Sequence, residues 1–259
     1  MRRNRPANLF DQFFVYHPEP WIERNWAKVS GLPLEEVWLS PEDGTRVFGW
    51  YVASTPGAPT LLWCHGNAGN LIHRLDNLSL LHRAGLTVFI FDYRGYGRSA
   101  GKPTEEGLYQ DARAAHQYVT ETRRVSPGRL VIFGRSLGAA VAGTLVSQRP
   151  AAGLILESPF PSVAAMAKEQ SLGLLARILL QSRFPLIDRL KDVHVPVLVI
   201  HGDRDEIVPI HLGREVYDAA GPPKSLYVVE GADHNDLYHV GGLAYLSRLK
   251  EFVTAVTGG

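Results

Sequence analysis

Six short runs, TLLWCH, LTVFIFD, RLVIFG, AGLILES, PVLVIHG and SLYVVEG, are rich in Val, Ile, Leu and Phe and do not alternate with polar residues. A strand that is apolar on both sides of its pleat must be covered on both faces. Stretches of helical period lie between them, at roughly 71–84, 105–124, 137–149, 209–220 and 242–256. This alternation predicts an α/β fold, a mostly parallel sheet sandwiched between helices. Two earlier runs, LEEVWLS and TRVFGWYVA, do alternate and flank the turn PEDGT. They predict a hairpin that adds an antiparallel edge and brings the sheet to eight strands.

With 259 residues, 45% of them hydrophobic, the chain can bury a large core, and one domain spanning 1–259 fits better than two. The net charge of +1 gives no sequence-wide attraction for nucleic acid or an anionic membrane. A single cysteine, Cys64, excludes an internal disulfide framework and fits a reducing compartment. No apolar run reaches the ~18 residues of a transmembrane segment, and LFDQFFVY lacks the cleavage site of a signal peptide. A soluble, cytoplasmic protein is expected, and nothing in the sequence fixes its oligomeric state.

The rhythm breaks once. About 35 residues separate LES from PVLVIHG, more than a simple crossover helix needs. Within them Leu172, Leu175 and Leu179 share one helical face, with Leu174 and Ile178 beside it. A small lid at about 159–190, over the edge of the sheet, is predicted.

The chemistry is concentrated in FGRSLGAA, residues 133–140. Gly134-Arg135-Ser136-Leu137-Gly138 fits G-x-S-x-G, with a strand before and a helix after, the context a nucleophile elbow requires. A sharp turn there pushes the Ser136 hydroxyl out of the sheet. The glycines suit a strained backbone and close strand-to-helix packing.

A serine hydroxyl is a weak nucleophile unless a histidine takes its proton, and that histidine needs a carboxylate to fix its tautomer. In the order the elbow motif implies, both lie downstream at strand ends. HGDRDEIVP offers Asp203 and Asp205; GADHND offers Asp233, His234 and Asp236. Asp205, deeper in its loop, is preferred, with Asp203 capping the turn and Glu157 a rival at the end of LILES. His234 is preferred as base. His239 is its runner-up, His194, His201 and His211 are further candidates, and His201 reads as a packed strand residue.

Developing negative charge on the attacked carbonyl needs donors. The backbone N–H of Leu137 is one, and the loop HGNAGN, residues 65–70, offers another at Asn67, with Ala68 second. DYRGYGRSAG carries no phosphate-binding pattern, though Asp92 and Arg94 are placed to pair with each other and brace the active-site loops. Histidine and cysteine spacings give no metal-ligand set.

The strand order together with HGNAGN, DYRGYGRSAG, GRSLGA, HGDRDEIVP and GADHND, covering nearly all of residues 34–257, resembles the α/β-hydrolase superfamily. The resemblance is strongest to compact small-lid serine esterases and thioesterases related to protein depalmitoylases, whose N-terminal cysteine cluster has no counterpart here. It implies Ser136, Asp205 and His234 as a triad acting through an acyl-enzyme on esters or thioesters of an acyl chain, with no cofactor. An amidase or peptidase of the same fold, and a non-catalytic binding protein, stand as alternatives.

Overall fold

The computed structural model describes residues 9–170 and 179–258. An eight-stranded sheet forms its centre. In chain order the strands are β1 (Leu34–Leu39), β2 (Val47–Val52), β3 (Thr60–Cys64), β4 (Thr87–Phe91), β5 (Leu130–Arg135), β6 (Gly153–Glu157), β7 (Val197–Gly202) and β8 (Lys224–Val229). They lie side by side as β1-β2-β4-β3-β5-β6-β7-β8. β2 pairs antiparallel with both β1 and β4, and the pairings from β4 through to β8 are parallel. The predicted hairpin is therefore the antiparallel edge.

The described helices are α1 (Leu9–Phe14), α2 (Trp26–Ser30), α3 (Leu75–Arg83), α4 (Glu105–Gln117), α5 (Leu137–Val146), α6 (Val163–Glu169), α7 (Leu186–Leu190), α8 (Ile210–Ala219) and α9 (Leu237–Thr257). Successive strand residues face opposite ways, so Leu62 and Cys64 join one core and Leu61 and Trp63 the other. The first core takes Leu108 of α4, Val141 of α5, Leu186 of α7 and Leu212 of α8. The second takes Leu78 of α3 and Tyr245, Leu249 and Val253 of α9. Strands β3 to β7 are buried throughout, whereas β8, at the edge, is buried only at Val229. Gly242 takes φ +50° and breaks α9, so a helix predicted from 242 begins five residues earlier, with an interruption.

Ahead of β1 the chain wraps back onto the sheet. Trp21 packs edge-on against Phe48 and Trp50 of β2, with ring centroids 5.3 and 5.6 Å away. His17 and Pro18 pair in parallel with Ala68 and Gly69, which extends backbone bonding into the loop after β3. Tyr16 is buried and bonded to the Ser182 hydroxyl at 2.8 Å. The Asp11 carboxylate accepts from the backbone N–H groups of Gln181 and Ser182 at 2.9 and 2.8 Å, and from the Ser182 hydroxyl. In this way α1 is tied to the segment between α6 and α7.

The stretch 159–190 contributes α6 and α7, but the apolar face through 172–178 lies outside the described residues. The expected Asp92–Arg94 brace is not formed. Arg94 instead grips Asp111 at 2.7 Å and Asp43 at 2.6 Å, because α4 brings Asp111 beneath the loop. Asp92 faces inward towards His65, 3.7 Å away.

Candidate active site

Ser136 occupies the one-residue junction between β5 and α5, at φ +52° and ψ −120°. A non-glycine residue held there costs about 1–3 kcal/mol of local strain. Gly134 and Gly138 do not share that conformation; what they supply is room. A Cβ on Gly134 would stand 2.4 Å from the Gly138 carbonyl oxygen, and one on Gly138 would stand 2.1 Å from that of Cys64. Helix α5 thus sits directly against β3 and β5. The Ser136 N–H donates to the Glu157 carbonyl of β6 at 2.8 Å. The side chain borders an apolar cavity with Asn67, Phe160, Val163, Ile207 and Val208.

Asp205 and His234 meet across the loops that follow β7 and β8, with Asp205 Oδ2 2.7 Å from His234 Nδ1. The other carboxylate oxygen accepts from the N–H groups of Ile207 and Val208 at 3.0 and 2.7 Å. Burial opposes the charge on Asp205. Donors from His201 and His234, the positive character of His234 and the Val208 N–H more than offset it and hold the carboxyl well below the usual carboxylate range. Since Asp205 is the acceptor, Nδ1 of His234 carries the proton and Nε2 is left to exchange one.

The neighbouring acids knit these loops together. Asp203 accepts from the Gly231 N–H at 2.6 Å, Asp233 from the Glu206 N–H at 3.1 Å, and Asp236 from the Asp233 N–H at 2.7 Å. The rival Glu157 has one oxygen 3.2 Å from Arg135 Nε, and its other oxygen accepts the Tyr245 hydroxyl. Of the other histidines, His194, His211 and His239 are exposed, with His211 paired to Glu169 at 3.4 Å and His239 lying against Tyr238. His201 is buried in β7, 2.7 Å from the Val208 carbonyl and 3.4 Å from Asp205. It adds a second imidazole behind the carboxylate, a contact the strand run did not reveal.

The loop after β3 is fixed from inside. His65 Nδ1 lies 2.7 Å from the Gly66 carbonyl and must donate to it. Burial drives the ring's pKa down to about 3, so it is neutral. A trans peptide points N–H opposite to C=O, so this bond also aims the N–H of Asn67. The Asn67 carbonyl is held by the His17 N–H at 3.0 Å and the Tyr96 hydroxyl at 2.8 Å. A Cβ on Gly66 would lie 3.5 Å from Ser136 Cβ, which puts the Gly66–Asn67 peptide beside the elbow. Leu137 opens α5, where N–H groups have no partner within the helix. Ala68 is exposed and paired with His17.

Sequence reasoning passed over Arg135. Its guanidinium Nη2 donates to the His234 carbonyl at 2.6 Å and to Asn235 Oδ1 at 3.1 Å. The only signal was its place between Gly134 and Ser136. Among the described residues no cluster of His, Cys, Asp and Glu could hold a metal ion, and no helix is long and apolar enough to cross a membrane.

The sheet order, the elbow and the facing loops define an α/β-fold hydrolase. The chain belongs to the family described as serine aminopeptidase, S33, which matches residues 58–188. An uncharacterized protein of Mycobacterium tuberculosis is 44% identical over 228 residues, covering 87% of this chain and 81% of that protein. Human alpha/beta hydrolase domain-containing protein 17B is 35% identical over 213 residues, covering 82% and 72%. Among solved structures, an esterase of Pyrococcus furiosus superposes with a TM-score of 0.76 at 21% identity, covering 94% of this chain and 98% of the esterase.

Proposed function

We propose that this hydrolase cleaves carboxylic esters or thioesters by two-step acyl transfer. The carrying observation is the 2.7 Å bond between Asp205 and His234 in the loops beside the strained elbow of Ser136. In this reading His234 Nε2 takes the Ser136 proton as Oγ attacks the carbonyl carbon. The N–H groups of Asn67 and Leu137 bind the oxyanion, and the leaving alcohol or thiol departs with the proton held by His234. Water then enters, gives its proton to His234 and releases the acid from Ser136. Asp205 stays ionised throughout and steadies the imidazolium.

The apolar cavity beside Ser136 suits an acyl group. Val163, Met166 and Ala167 of α6 line it, which supports reading 159–190 as a lid. The family description names an aminopeptidase, which favours peptide hydrolysis as a second reading. A free α-amino group, however, calls for a carboxylate, and none of the described residues lining the cavity is Asp or Glu. That difference favours the ester.

Hydrolysis of p-nitrophenyl esters from acetate to palmitate, with a matched p-nitroanilide alongside, tests the proposal in the wild type and Ser136→Ala. Ester turnover lost in the variant supports it. Anilide turnover above ester turnover favours the peptidase, and equal rates in both proteins remove Ser136 from the mechanism.

A further inference from the structure

Glu157 touches both halves of the proposed machinery. Its main-chain carbonyl accepts the N–H of Ser136 at 2.8 Å. Its carboxylate lies 3.2 Å from Arg135 Nε, and the same guanidinium reaches out to the His234 carbonyl and the Asn235 side chain. The Tyr245 hydroxyl, from α9, donates to the remaining carboxylate oxygen. Nucleophile and base are therefore both referenced to one residue at the end of β6. Arg135 and Glu157 are 6% and 1% exposed, so this ion pair has been taken out of water. Such a pair is a poor source of stability compared with apolar side chains of the same volume. What it supplies is direction: a planar fork can hold a carboxylate and a carbonyl at fixed angles, which an ammonium cannot.

We infer that Arg135 is a positioning residue, which registers the His234 loop against the strand that carries Ser136. The inference rests on the proposed roles of Ser136, Asp205 and His234. With the His234 carbonyl gripped by Arg135 and Nδ1 gripped by Asp205, the ring is held at both its backbone and its edge. Loss of the backbone grip leaves the Asp205 bond to hold the ring alone. A displacement of about 1 Å in such a group can cost 10²-fold in rate.

The test compares Arg135→Lys, which keeps the charge and loses the fork, with the paired Arg135→Gln and Glu157→Gln changes, which leave no buried charge unpaired. Tyr245→Phe, a milder change, serves if either fails to fold. The readouts are kcat and KM on the best p-nitrophenyl ester, and the downfield proton resonance of the His234 Nδ1–H, assigned by its loss in His234→Gln. The expected result is kcat lower by about 10²-fold in the first two and about tenfold in Tyr245→Phe, with KM within about threefold. KM is spared because the described lining of the acyl cavity includes neither Arg135 nor Glu157. The downfield resonance should broaden or vanish alongside the loss in kcat. Variants that fold, keep kcat within about threefold and leave the resonance unshifted would overturn the inference. Failure of the underlying reading looks different: Ser136→Ala would retain turnover, or His234→Gln would leave the resonance in place.

Discussion

Asp205 and His234 are joined by a 2.7 Å bond, and the carboxylate is also pinned by the backbone N–H groups of Ile207 and Val208. An acid held this way keeps its charge to lower pH than a free carboxylate. Its contribution to stability is complete above the carboxylate's unfolded pKa of about 4 and is lost as pH falls below that value. Asp205→Asn keeps the shape but removes the charge that orients His234 Nδ1–H. Steady-state kinetics on a p-nitrophenyl ester should give kcat lower by about 10³–10⁴-fold with KM little changed.

Asp92 has the opposite sign. Burial raises its pKa to about 8, against support for the charged form from the Leu71 N–H, Arg74 and the Arg98 N–H, and its neighbour His65 is neutral. Between pH ~4 and ~8 the folded chain holds a proton here that the unfolded chain has lost, so this group makes stability fall as pH rises across that window. Asp92→Asn mimics the protonated carboxyl. Urea denaturation of the variant from pH 5 to 8 should lack this downward slope.

Two glycines beside the elbow, Gly138 and Gly66, differ in what they tolerate. A Cβ on Gly138 would meet the main-chain oxygens of Cys64 and His65 at 2.1 and 2.5 Å, and neither can move without shifting β3. Gly138→Ala should lose about 3 kcal/mol or more by chemical denaturation. Gly66→Ala meets its neighbours at 3.5 and 3.6 Å, ordinary contact, and should stay within about 0.5 kcal/mol of wild type.

Asp11 joins two segments that are 170 residues apart in the chain. Asp11→Ala strips the acceptor from the Gln181 and Ser182 N–H groups and leaves them buried or half-buried. The expected cost is about 2–3 kcal/mol, with faster hydrogen exchange at those two amides. Because α1 also carries Phe14 to the cavity, KM should rise more than kcat falls.

The strand runs were legible because both faces of a central strand are buried, and that leaves a local signature at each of β3 to β7. The elbow was legible for a similar reason: Gly134 and Gly138 are demanded by contacts with the adjacent strand and helix. Which carboxylate faces His234 was harder to read. Glu157 is diverted by Arg135 and by Tyr245, 88 residues further on, and no local pattern announces that pairing. The Asp92–Arg94 expectation failed likewise, since Asp111 reaches Arg94 only once α4 has docked. The tie between α1 and Ser182 depends on a contact no periodicity encodes.

Ser136 sits in a conformation that glycine would adopt at little cost. Ser136→Gly therefore relaxes the backbone while abolishing the hydroxyl, and under the proposed mechanism the more stable protein is the inactive one. Under that mechanism a durable fold and turnover make opposite demands on this one residue.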